Sequence, residues 1–310
     1  MAWSGTSRVY SPEMSGDSPK ISVVIPTIGR AEPLEASLAA FDGLDSATPD
    51  FEVLVVLDGE DSDTRRVAER KRAFPVRVLT QKKAGPGPAR NLGSQAADGE
   101  LIVFLNDDTR PHPLCLVAHA EAQSKLGPCV VVGRVEWDPE KPVTPYMAWL
   151  APGGHQFNYG RLDREQPTPW DACWATNLAV PRQWVLDEPF DPAFPVVAIE
   201  DGEWGYRMAG KGHPIRYLPE AICFHDHRYE GPADYRRRAR TAGTASRYVV
   251  RRHPELFWTL IGRPGLAAKI RGLTMAWPGN WRLEMLWDLD FRWNYVLGIV
   301  LPRRADGPRS

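Results

Sequence analysis

The sequence has no apolar run near the ~20 residues a membrane-crossing helix needs; Tyr295 to Leu301 is typical of its longest stretches. No apolar segment follows the first residues, so no secretory signal is expected. The four cysteines, Cys115, Cys129, Cys173 and Cys223, stand too far apart for a CxxC motif, which removes zinc-ribbon and thiol-redox readings. They read as buried thiols in a reducing compartment. The formal net charge is only −1, so no global field points to nucleic acid or to a polyanion. GxGxxG and GxxxxGK[ST] are both missing, which argues against dinucleotide and P-loop nucleotide sites.

What is present is an ordinary soluble composition, 43% hydrophobic and 25% charged over 310 residues. That suits one main domain with an extension. Residues 1–19 have no periodicity and are expected to form a flexible leader. Ile21 to Ile25, Phe51 to Leu57, Val76 to Leu79 and Leu101 to Leu105 are short β-branched or apolar runs, each predicted to be a buried strand. Helix-compatible stretches separate them at residues 31–41, 62–73 and 89–97, the last with Pro88 in its first turn. Strands alternating with helices predict a mostly parallel sheet. Further strands are predicted at Val130 to Val135, Ile215 to Leu218 and Ala221 to Phe224, and a helix at Asp201 to Ala209; residues 137–172 show no clear period. From Arg228 to Arg304 there are 15 Lys+Arg against 6 Asp+Glu, with Trp258, Trp277, Trp281, Trp287 and Trp293 among them. A helix is expected to begin near Arg236 and end near Arg252. Arg and Trp together suit either a segment lying in a bilayer interface or one packing on the main domain or a second copy.

Ligands in parallel sheets bind beyond the carboxyl ends of the strands, and the chemistry-bearing residues gather there. Pro26-Thr27 ends the first strand, Asp58 the second, and Asn106-Asp107-Asp108 follows the fourth. Two carboxylates at a strand end can hold a hard cation, or can form a solvated turn. Asp58 can accept a nucleobase N–H, or belong to an Asp-Gly turn. Lys82, Lys83 and Arg90 flank a glycine-rich loop able to receive phosphate. Glu200, Asp201 and Glu203 open a predicted helix, where a carboxylate is held ionised and serves as a cap or a general base. His225 and His227 are spaced to share one face of a strand, as ligands or as structural residues.

Five blocks in order resemble the GT-A fold of family 2 inverting glycosyltransferases: Ile21 to Arg30, Glu52 to Gly59, Gly87 to Gly93, Leu101 to Thr109, and the set Thr176 to Arg182, Ile199 to Arg207 and Tyr217 to His225. Asn106 stands at the first position of the DxD motif, Leu57 precedes Asp58 where many relatives have a second Asp, and Gly202-Glu203 follows Glu200-Asp201. The resemblance implies a Rossmann-like α/β fold of GT-A type, its mostly parallel sheet flanked by helices, with a helical C-terminal extension. It implies a GT-A unit over 20–228, divided into a nucleotide-binding half (20–110) and an acceptor half (111–228), followed by the extension at 229–310. Pro26, Thr27, Arg30, Asp58, Arg90, Asn106 and Asp107 would then bind the nucleotide-diphosphate sugar. Asp108 would be the main ligand of a divalent metal, Mg²⁺ or Mn²⁺, and His225 a second; Asp201 would be the catalytic base. Trp170, Trp174 and Trp204 are candidates to stack on a sugar, or to lie in the core. The expected acceptor is a saccharide, lipid-linked or other hydroxyl. The expected setting is the cytoplasm, with peripheral membrane contact or homo-oligomerisation through the extension. A sugar nucleotidyltransferase and a non-catalytic nucleotide-sugar or glycan-binding module are the rival readings.

Overall fold

The computed structural model describes residues 21–151, 154–262 and 281–301; the expected leader and Trp277 lie outside the described residues. Four parallel strands form one half of the sheet: β1 (Ile21–Thr27), β2 (Phe51–Asp58), β3 (Val76–Gln81) and β4 (Leu101–Leu105). Side chains alternate across a strand, and both faces are covered. Val24, Leu54, Ile102 and Phe104 enter one core cluster, while Val23, Ile25, Val53 and Val103 enter another. This is why these strands read as continuous apolar runs. The helices between them are α1 (Ala31–Ala39), α2 (Ser62–Ala68) and α3 (Pro86–Ala96). The Asp61 side chain caps α2 by accepting from Thr64 N at 2.7 Å. Helix α3 starts earlier than expected, with both Pro86 and Pro88 in its first turn. It lies so close to the sheet that a Cβ on Gly93 would fall 2.4 Å from Val24 Cγ1.

The second half contributes β5 (Thr109–Pro111), α4 (Cys115–Leu126), β6 (Val130–Trp137), α5 (Pro145–Leu150), β7 (Asn177–Pro181), α6 (Arg182–Asp187), α7 (Glu200–Gly210) and β8 (Ile215–His225). The sheet order is β3-β2-β1-β4-β7-β6-β8-β5. The mostly parallel expectation holds, but β7 runs antiparallel to β4 and β6, and β5 antiparallel to β8. Two strands expected at 215–218 and 221–224 are one, β8. Its pairing with β6 jumps from Gly133↔Leu218 to Arg134↔Ile222, so Pro219, which has no N–H to give, sits in a bulge. Residues 137–172 are not wholly irregular, since α5 lies there. Asn177 ties this half together. Its amide donates to Arg134 O and Ala221 O at 3.0 and 2.8 Å and shares a 2.8 Å hydrogen bond with His119 of α4. All four cysteines are free and buried.

Beyond β8, α8 (Pro232–Arg252) and α9 (Trp281–Val300) pack against each other. Two glycines set the approach: a Cβ on Gly243 would lie 2.0 Å from Tyr295 O, and one on Gly298 2.0 Å from Arg240 O. The pair is seated on a cluster of Tyr146, Met147, Leu150, Tyr229 and Tyr235, with Trp287 and Phe291 of α9 packed on it.

Candidate active site

The carboxyl ends of β1, β2 and β4 open on one edge, and the two reversals bring further residues to it. Because β7 is antiparallel to β4, its amino end arrives there: Asn177 pairs with Leu105, and Asn106 Nδ2 donates to Thr176 Oγ1 at 3.1 Å. Because β5 pairs with the end of β8, Thr109 sits opposite His225, and Asp226 N donates to Asp108 O at 2.8 Å. The backbone thus holds the acid pair against the histidines.

Asp107 and Asp108 are not a solvated turn, being only 4% and 6% exposed. Thr27 Oγ1 and Arg30 Nη1 donate to the Asp107 carboxylate at 2.7 and 2.6 Å, and Arg30 Nη2 donates to Asp108 Oδ2 at 2.9 Å. Burial pushes the Asp107 carboxyl up to about 6, against the opposing charge of Arg30. Burial also acts to raise Asp108, but the adjacent His225 and His227 imidazoles and the charge of Arg30 outweigh it and hold that carboxyl well below the usual range. His225 Nε2 lies 3.4 Å from Asp108 Oδ1 and His227 Nδ1 3.8 Å from Oδ2, the two rings nearly parallel.

Asp58 and Pro26 hold other positions on the edge. Pro26, buried within β1, pairs with Val56. Asp58 organises the glycine-rich loop: Oδ1 accepts from Gln81 Nε2 and Ala84 N at 2.8 and 2.7 Å, and Oδ2 from Gly85 N at 2.9 Å. That leaves one lone pair on Oδ2 for any further donor. Lys82 and Lys83 are exposed beside it.

The three acids that open α7 part company. Glu200 is paired with the buried Arg90 at 3.0 Å, and Arg90 reaches Asn106 Oδ1 at 3.3 Å. Glu203, 1% exposed, is held by Arg207 and His253 at 2.9 and 3.0 Å. Asp201 makes no ion pair among the described residues; its oxygens accept only from the backbone, Ala175 N at 3.0 Å and Gly202 N at 2.9 Å. A carboxylate at a helix start was expected to stay readily ionised, but here burial and the neighbouring Glu200 push the Asp201 carboxyl up to about 6, and Arg90 only partly opposes them. Side-chain burial and like charge outweigh the helix dipole.

The turn into α7 is strained. Ile199 has φ 63° and ψ 1°, the one described non-glycine residue with positive φ. A β-branched residue in this region is an outlier that costs about 1–3 kcal/mol and survives where surrounding structure imposes it. Neither Ile199 nor the Ala175 and Thr176 contacts carry a sequence signal for this role. Of the two readings open for Trp204 the structure takes the core one: it is fully buried, stacked on Phe190 at 5.2 Å, with Nε1 donating to Glu188 O. Trp170 and Trp174 stay partly exposed.

The arrangement offers a buried acid pair beside two imidazoles and, across the edge, an unpaired carboxylate with raised basicity. The family described as Glycosyl transferase family 2 matches residues 22–184. Glycosyltransferase AglE of Haloferax volcanii is 30% identical over 217 residues, covering 68% of each chain. Validoxylamine A glucosyltransferase of Streptomyces hygroscopicus subsp. jinggangensis is 27% identical over 81% of this chain, which spans just under two thirds (66%) of that relative's length. Among solved structures, the mannosyltransferase PcManGT of Pyrobaculum calidifontis, in complex with GDP-Man and Mn²⁺, superposes with a TM-score of 0.64 at 17% identity, over 92% of this chain and 88% of that one. That likeness shows the GT-A fold.

Proposed function

We propose, on the premise that this chain belongs to glycosyl transferase family 2, that it moves a sugar from a nucleotide-diphosphate sugar to an acceptor hydroxyl with inversion. The observation that carries this is the state of the three acids on α7. Of the three, only Asp201 is without a cation partner among the described residues; it is partly exposed, where Glu200 and Glu203 are buried, and its carboxyl is raised to about 6. A general base works best with a pKa near the operating pH. Asp201 takes the proton from the acceptor hydroxyl as that oxygen attacks the anomeric carbon. Arg90 holds Glu200 and tempers Asp201, while the Ala175 and Gly202 amides fix its aim. On the donor side, Thr27, Arg30, Asn106 and Asp107 line the nucleotide edge, and Asp58 offers the free lone pair of Oδ2 to a base N–H.

The residues present fit a divalent ion. Asp108 Oδ1 and His225 Nδ1 are buried with no hydrogen-bond partner in the described structure. Asp108 Oδ1 and His225 Nε2, 3.4 Å apart, have a separation suited to two ligands of one ion. No group of three His, Cys, Asp or Glu side chains converges among the described residues, so water and diphosphate oxygens would complete the shell, as is usual for Mg²⁺. When bound there, Mg²⁺ or Mn²⁺ would neutralise the diphosphate leaving group.

We assign the acceptor to the class of saccharide or lipid-linked hydroxyls, on the strength of α9. Trp287 packs inward, but Leu283, Leu286, Leu289, Trp293 and Val296 are 46–64% exposed at helical spacing. Trp258, 69% exposed, opens a short helical turn after α8. The sequence on either side of α9 is basic: 263–280 carries three cations and no acid, and 302–310 three arginines against one Asp. No described helix is long and apolar enough to cross a membrane. An exposed apolar stripe flanked by cations suits peripheral contact with an anionic bilayer.

The transferase reading is tested by adding acceptors to the protein with each nucleotide sugar and measuring free nucleoside diphosphate. Acceptor-dependent release supports it; ligand binding with no release under any pairing favours a binding module. Co-sedimentation with anionic vesicles that weakens in salt, and its loss in Leu289→Glu/Trp293→Glu, tests the membrane reading. Protein that stays in the supernatant as a dimer assigns the stripe to a second copy.

A further inference from the structure

The helical extension is tied to the acid pair by a continuous chain of contacts. Tyr229, 1% exposed, has its carbonyl held by Thr144 Oγ1 at 2.7 Å, and its ring lies 4.4 Å from that of His227. His227 Nδ1 in turn lies 3.8 Å from Asp108 Oδ2. On the other side of Tyr229, Arg238 of α8 donates to its hydroxyl at 2.5 Å and lies over the Tyr235 ring at 5.9 Å.

Arg238 is unlike the arginines around it. Arg30 is engaged by Asp107 and Asp108, Arg90 by Glu200, Arg236 by Asp290, and Arg240 by Asn294. Among the described residues Arg238 makes no ion pair, and its one hydrogen-bond acceptor is a neutral phenol. Its charge is within reach of the site, attracted by Asp108 and opposed by Arg30. A guanidinium has five donors in a fork that matches phosphate oxygens. With a divalent ion on Asp108, the surroundings of Arg238 become more positive still, and an anion of high charge is the natural complement.

We propose that Arg238 is a donor-binding residue for the diphosphate of the nucleotide sugar, delivered by the C-terminal helix α8 and aimed by the Tyr229 hydroxyl. This rests on the transferase reading of the site. When the bond from the anomeric carbon to the phosphate oxygen breaks, the electron pair stays on that oxygen and the diphosphate gains a negative charge. A preset guanidinium stabilises that charge. The extension is then part of the catalytic site, and α9, locked to α8 through Gly243 and Gly298, keeps the arginine in place.

The test measures binding of nucleoside diphosphates, the matching monophosphates and the free nucleosides to the full chain by calorimetry, with Mn²⁺ and without acceptor. Arg238→Ala should weaken diphosphate binding at least about tenfold, the worth of a charged hydrogen bond, and leave nucleoside binding unchanged. Arg238→Lys should recover part of the loss. Tyr229→Phe keeps the ring packing and should show a smaller loss confined to the diphosphate, which covers the case in which Arg238→Ala misfolds. Diphosphate affinity within twofold of wild type in both Arg238→Lys and Tyr229→Phe, or an effect seen only on acceptor KM, overturns the proposal. If the wild type binds no nucleoside diphosphate, the transferase reading itself fails.

Discussion

Replacing Asp201 with asparagine should move activity and stability in opposite directions. The change keeps size but removes the basic oxygen, so turnover should fall by about 10²–10⁴-fold, the usual worth of a general base. Stability should rise. The wild-type carboxyl is raised from its ordinary 3.8 to about 6 by burial and by Glu200. At about 1.36 kcal/mol per pH unit, that is about 3 kcal/mol against the charged form at neutral pH. Asn gives some of this back, because its NH₂ cannot accept one of the two bonds from Ala175 N and Gly202 N, a loss of about 1 kcal/mol. The negative charge also interacts with the helix start, worth about 0.3–1 kcal/mol. A net gain of about 1–2 kcal/mol remains. The folded chain holds this proton more tightly than the unfolded chain, so wild type loses stability as pH rises from about 4 to about 6 and is level above that. The asparagine variant has no such loss, and the gap should open across the same window. Urea unfolding at pH 4 and pH 7.5, paired with turnover of the matched nucleotide sugar, reads both effects. A variant less stable than wild type at pH 7.5, or a gap that does not change with pH, would refute the reasoning about Asp201.

Arg90→Met breaks the buried pair with Glu200; it should cost about 3–5 kcal/mol in denaturant unfolding and, since Arg90 holds Asp201 down, move the acid limb of the kcat/KM profile to higher pH. Glu200→Gln should move that limb to lower pH. Excess EDTA should abolish turnover and added Mn²⁺ or Mg²⁺ restore it, with Asp108→Ala losing most activity under all conditions; full activity in EDTA removes the metal from the mechanism. Gly298→Ala places a methyl group 2.0 Å from Arg240 O, and should destabilise the α8–α9 pair by about 1–3 kcal/mol, read as faster proteolysis between the two helices.

Most of the candidate edge was legible in the sequence because it depends on local rules. Apolar runs ending at Thr27, Asp58 and Leu105 mark strands, and in a parallel sheet their carboxyl ends share one edge. Strand β7 was harder to see, since Asn177–Pro181 is short and direction leaves no mark in a sequence. Helix α4 was hidden because His119, a polar residue, is one of its buried positions and is satisfied only by Asn177, 58 residues away. The raised carboxyl of Asp201 was also out of reach. Its value depends on which of Glu200, Asp201 and Glu203 finds a cation, and Arg90, Arg207 and His253 are assigned to them by packing.

The sequence by itself determined the class of sheet, the edge where ligands gather and the supply of carboxylates there, since periodicity and residue type suffice for each. Only the tertiary structure decided which of the three carboxylates on α7 lacks a cation partner among the described residues, that Asp58 anchors a loop, that Trp204 is core, and that Arg238 from the extension reaches the Tyr229 hydroxyl. Burial and charge pairing are set by neighbours distant in the chain, and no local pattern carries them.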